Sequence, residues 1–151
     1  MILRHTLATL AYRAGKVLRD APSGFTDFRA SQDTRSAGQI LAQMGDLMDW
    51  GASIAEGHQA WKDSAVDAWE ADVDRFFAGL ARFDAALAAA AADVSTAKLF
   101  QGPVADALTH VGQLAMMRRL AGVPIKGENY YVAEITEGRV GRDQASPRRE
   151  F

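Results

Sequence analysis

Asp106 and His110 sit one helical turn apart in a segment with helical periodicity. The i, i+4 spacing sets a carboxylate and an imidazole side by side, where they can share a proton, a metal ion or a ligand. With residues placed at roughly 100° steps, Ala107, Leu114, Met117 and Ala121 fall within about 60° of His110. The imidazole therefore lies at the centre of an apolar face, with Asp106 about 40° away on the same face. Gln43 repeats the pattern on an earlier segment, where Ile40, Leu47, Trp50 and Ile54 lie within about 60° of it. An unpaired buried polar group costs roughly 1–3 kcal/mol. The three side chains are therefore expected to meet around a metal ion, a water or a ligand.

Other chemistries are excluded by residue type. The chain has no cysteine, so it offers no disulfide, thiolate ligand or cysteine nucleophile. No G-x-S-x-G elbow, Walker loop or H-E-x-x-H motif is present. Net charge is −2, which gives no global electrostatic case for nucleic acid. The pairs Arg118-Arg119 and Arg148-Arg149 read as solvated helix-end charges. His5 lies off the apolar face of its helix and reads as solvated. His58 falls at a helix end, roughly 22 Å from Gln43 at 1.5 Å per residue. The opening MILRHTLATLAYR carries charge too early for a signal peptide, and the longest apolar run, Ala85–Ala92, is too short for a membrane span. A cytoplasmic protein without membrane or nucleic-acid partners is expected.

Four amphipathic helices are needed to position these groups. The first runs Leu3–Arg19, with the stripe Leu3, Leu7, Leu10, Ala14, Val17, and ends at Asp20-Ala-Pro-Ser-Gly. Phe25–Arg35 reads as a loop pinned by Phe25 and Phe28. The second helix runs Ser36–Gly57, with Ser36 or Thr34 as N-cap. The third runs Ser64–Ala92 on the repeat Val66, Trp69, Val73, Phe76, Leu80, Phe83, Leu87, and its alanine run Ala88–Ala92 admits a close neighbour. The fourth runs Pro103–Leu120, with Pro103 in its first turn and Gly122 and Pro124 ending it. The 151 residues thus read as one all-α domain, an antiparallel up-down four-helix bundle. Its irregular tail, 124–151, packs through Tyr130, Tyr131, Val132 and Ile135 and is frayed over Arg139–Phe151. Trp61, Trp69 and Met48 read either as a homodimer surface or as ordinary core and loop cover.

Gln43-Met-Gly-Asp-Leu, Thr109-His-Val-Gly-Gln-Leu, Arg118-Arg-Leu-Ala-Gly and Val123-Pro-Ile-Lys-Gly-Glu-Asn-Tyr together resemble the DinB-like (YfiT-like) superfamily. The resemblance covers most of the chain and implies a four-helix bundle with a metal site at one end of its core, often as a homodimer. Carried over by position, Gln43 stands where the family has its first histidine, Asp106 where it has its second, and His110 where it has its third. Only His110 matches in type. Three imidazoles suit zinc or nickel, whereas Gln43, Asp106 and His110 make an oxygen-rich set for zinc, nickel or manganese. The other reading of these residues is a water-filled or ligand-filled pocket in which Asp106 holds His110. Asp46, Trp50, Gln113, Met117, Asn129, Tyr130 and Tyr131 are expected to complete the pocket, with the tail as its lid. The resemblance further implies a transferase-like or hydrolase-like enzyme that uses a metal ion or a small-molecule thiol cosubstrate. The alternative is a non-catalytic module of the same fold that binds a small molecule or serves as a scaffold.

Overall fold

Helix α1 (Ile2–Leu18) buries Leu3, Leu7, Leu10, Ala14 and Val17 along one face, as alternating steps of three and four require. This computed structural model describes residues 1–91 and 93–151, and it is all-α over them. Only two isolated bridges, Arg29 to Ser36 and Glu128 to Glu150, pair extended backbone among the described residues.

Helix α2 (Ala37–Ala55) starts from a capping box. The Ser36 hydroxyl accepts from the Gln39 N–H at 3.2 Å, and the Gln39 side chain accepts from the Ser36 N–H at 2.9 Å. Before it, Phe25 is buried in a short 3₁₀ turn, Phe25–Asp27, and stacks on Phe28.

Helix α3 (Trp69–Ala89) starts five residues later than periodicity suggests. Ser64–Ala68 is held out of the helix by tertiary bonds. The Ser64 N–H and hydroxyl donate to the Asp46 carboxylate at 2.9 and 2.6 Å, and the Asp67 N–H donates to Asp72. Val66 is consequently exposed rather than part of the stripe. The far end stops at Ala89, and the expectation for Ala92 falls outside the described residues.

The last helix begins earlier than expected. A single turn, α4 (Thr96–Leu99), passes through a π-helical turn at Phe100–Val104 into α5 (Ala105–Leu120). Pro103 lies inside that turn, where its missing N–H is accommodated by the wider spacing. Gly122 ends α5 with φ 80°, and the Val123 N–H reaches back to the Arg118 carbonyl at 3.0 Å.

Each long helix packs chiefly against two others. α2 lies most extensively on α3, α5 touches α2 and α1, and α1 returns to α3. Phe76, Phe83, Leu7, Leu80, Leu114 and Met48 fill the centre. Met48 is fully buried, and Trp69 packs edge-on to Phe25 while donating to the Leu18 carbonyl. Trp61 is therefore the one member of the proposed dimer patch that is open, and its ring meets Trp50 edge-on. No described helix is long and apolar enough to cross a membrane.

Gly45 explains part of the close α2–α3 contact. The Arg75 guanidinium lies where a Cβ on Gly45 would stand, 2.6 Å away, and donates to Asp46 and to the Ala42 carbonyl. In a free helix, Gly→Ala stabilises by up to about 1 kcal/mol. Here Gly45→Ala is expected to destabilise by about 1–2 kcal/mol, because Arg75 must leave both acceptors. A rise in the urea midpoint would show instead that Arg75 swings aside without loss.

The tail is tied down by partners on α1 and α3. The Tyr130 ring stands edge-on to Tyr12, and the Arg13 guanidinium sits over its face. Arg142 pairs with Glu70 and Asp74, Glu150 pairs with Lys16, and Val140 is buried. The frayed end expected over Arg139–Phe151 is thus replaced by specific ion pairs. Their helix partners lie far away in sequence.

Candidate functional site

A cleft of about 600 Å³ opens between α2, α5 and the loop that precedes α2. Gln43 and Ile40 line it from α2, while Asp106, His110, Gln113 and Met117 line it from α5. Ala30, Thr34 and Arg35 form the loop wall. Helical spacing places Asp106 and His110 together, and the apolar neighbours of His110 press its ring into the bundle. His110 is 7% exposed, whereas the Asp106 side chain is 44% exposed at the rim.

The polar geometry around His110 is unusual. Its Nδ1 lies 2.7 Å from the Gln113 Oε1. An amide oxygen only accepts, so Nδ1 is the donor of this pair. The His110 Nε2 is buried and has no hydrogen-bond partner among the described residues. The nearest charged atom is the Asp106 Oδ1, at 3.5 Å. A ring nitrogen and a carboxylate oxygen at this distance are compatible when a proton, a cation or a donor group lies between them.

The remaining expected site residues lie elsewhere. Asp46 is buried under Ser64 and Arg75, whose bonds saturate its carboxylate, so it is a bracing group between α2 and α3. Trp50 borders an adjoining recess of about 450 Å³ that shares Asp106 with the main cleft. Asn129, Tyr130 and Tyr131 do not line the cleft. Asn129 caps the turn Tyr130–Val132 through the Tyr131 N–H, Tyr130 packs on α1, and Tyr131 is almost fully exposed. The tail therefore braces α1 and does not line the cleft.

Arg35 and Met116 are lining residues that helical periodicity did not single out. Arg35 immediately precedes the cap Ser36, so the capping position was its one available signal.

Arg118 differs most from its sequence reading. It is buried, not solvated, and donates to the carbonyls of Val17, Arg19 and Val123. His5 is exposed. His58 lies past the end of α2 beside a separate cavity of about 700 Å³, with its Nε2 3.9 Å from Glu56. No three His, Cys, Asp or Glu side chains among the described residues are grouped to hold a metal ion. Comparison of the chain with protein families, with curated proteins and with solved structures finds no match.

Proposed function

We propose that the chain is an antiparallel four-helix bundle of DinB-like type whose cleft binds a small molecule at His110 and Asp106. The observation that carries this reading is the buried, partnerless Nε2 facing a carboxylate at 3.5 Å. A ligand N–H or O–H, or a thiol S–H, satisfies both acceptors at once. With a thiol cosubstrate, Nε2 would serve as the base that takes its proton, which is the catalytic form of the proposal. The same cleft without turnover is the binding-module form.

The donors do not fit a three-imidazole metal ion. One imidazole, one half-exposed carboxylate and one neutral amide from Gln43 make a weak set. The His110 Nε2 beside Asp106 nonetheless supports a second reading, a divalent ion held by Gln43, Asp106 and His110.

Nuclear magnetic resonance of the histidine side chains tests both. Small amine-, alcohol- and thiol-bearing probes are expected to shift the His110 imidazole signals, and His110→Ala is expected to weaken their binding at least about tenfold. Chelator-treated protein titrated with zinc, nickel or manganese reads the second. If neither set of additions moves the His110 signals, both readings fail.

A further inference from the structure

We propose that the cleft selects an amphoteric small molecule, an amino carboxylate whose acidic end is held by Arg35 and whose amine lies between Asp106 and the His110 Nε2. This rests on the reading of the cleft as a binding site. Three titratable side chains line the cleft, and their placement is polarised. The cation Arg35 stands on the loop wall, while Asp106 and the His110 Nε2 stand on α5. Ile40, Met116 and Met117 supply apolar surface to the same cleft.

Arg35 has no ion pair or hydrogen bond among the described residues. Arg19, Arg119 and Arg149 are likewise unpaired among the described residues, but of the unpaired arginines Arg35 is the one that lines this cleft. Its carboxylate neighbours are already engaged. Arg35 also borders a recess with Asp46 and Asp63, but Asp46 is bound by Arg75 and Ser64, and Asp63 accepts from the Trp61 indole. Arg29 and Thr34, which bond to each other, fix the loop just before Arg35. The guanidinium thus presents its planar donor fork where a carboxylate is the natural complement.

Either end alone leaves a group unmatched. A simple carboxylate would meet repulsion from Asp106. A simple amine would satisfy α5 but leave Arg35 unused. An ω-amino carboxylate carries a partner for each wall and methylenes for the apolar surface, and the chain lengths tested below read the span.

The test compares 4-aminobutyrate, 5-aminopentanoate and 6-aminohexanoate with hexanoate, hexylamine and hexanol, in isothermal titration and in shifts of the His110 signals. The best amino carboxylate is expected to bind at least about tenfold tighter than hexanoate or hexylamine. Arg35→Gln, at an exposed position, is expected to remove at least about tenfold of that affinity and leave hexylamine unchanged. Asp106→Asn is expected to weaken the amines and spare hexanoate. If hexylamine binds as tightly as every amino carboxylate, or Arg35→Gln changes nothing, the inference is overturned. If hexanol or hexylamine shifts His110 while the amino carboxylates do not, the inference fails and the binding cleft stands. If no probe shifts His110, the cleft reading fails with it.

Discussion

Arg118→Ala is expected to cost about 3 kcal/mol, which at this chain length lowers the melting temperature by roughly 6–12 °C. Arg118 is 4% exposed. Its Nη1 donates to the Val17 and Arg19 carbonyls, each at 2.8 Å, and its Nε donates to the Val123 carbonyl at 3.0 Å. Val17 and Arg19 lie at the end of α1, where the last carbonyls have no partner within the helix. One cation thus caps α1 and, through Val123, the chain leaving α5. Its charge also suits the negative helix terminus. Burial lowers its pKa from the ordinary arginine value, opposed by Asp20, yet guanidinium stays charged throughout the accessible pH range. Alanine removes the cation and leaves buried carbonyls without a donor. Arg118→Lys keeps the charge but not the planar fork, so an intermediate loss is expected. Thermal and urea unfolding of both variants checks this. A loss below about 0.5 kcal/mol for the alanine variant would show that water replaces the guanidinium at all three carbonyls.

The contrast between Arg118 and His110 shows what the sequence can and cannot reveal. Both lie on α5, and helical period places both directions. For His110, the apolar neighbours at three and four residues lie on its own helix, so its burial and its cleft shared with Asp106 and Gln113 follow from local spacing. Arg118 gets its role from the end of α1, about a hundred positions away, which no local pattern encodes. The same distinction explains the helix bounds. The α2 start is written locally in Ser36 and Gln39, whereas the late start of α3 depends on Asp46 holding Ser64. The buried stripe Val73, Phe76, Leu80, Phe83, Leu87 is legible because it repeats. The course of the tail is not, because its contacts are ion pairs with α1 and α3. Arg35 entered the cleft through a loop shaped by the Ala37 N–H to Phe28 carbonyl bond, and a polar loop sequence carries no period. Asp46 lies one turn from Gln43 on α2, yet its bonds to Ser64 and Arg75 make it a brace.

Lys16→Met is expected to cost about 3–5 kcal/mol, because it leaves a buried carboxylate short of its counter-charge. The Glu128 side chain is 0% exposed and that of Lys16 5%. The Lys16 Nζ donates to Glu128 and to Glu150 at 2.9 Å each, and the Tyr12 hydroxyl donates to Glu128 at 2.5 Å. This cluster holds the tail on α1. Replacing both partners, in Lys16→Met with Glu128→Leu, is expected to recover much of the loss, since no lone charge then remains buried. The cluster also sets an alkaline limb. Burial, reinforced by the bond to Glu128, raises the Tyr12 pKa above its ordinary value of 10.0. For Lys16, burial acts downward but is outweighed by Glu128 and Glu150, so its pKa also rises from 10.5. Both groups hold their protons more tightly in the folded chain. Their contribution is complete below the unfolded values and is lost as pH climbs through the raised ones. Glu150 behaves oppositely. Lys16 lowers its pKa, so its contribution is present above about 4.5 and is lost as pH falls through the lowered value. Urea midpoints should therefore hold up to about pH 10 and fall as pH rises beyond it in the wild type, and fall less in Lys16→Met, which has already lost the linked proton. Equal falls in both proteins would place the alkaline sensitivity outside this cluster.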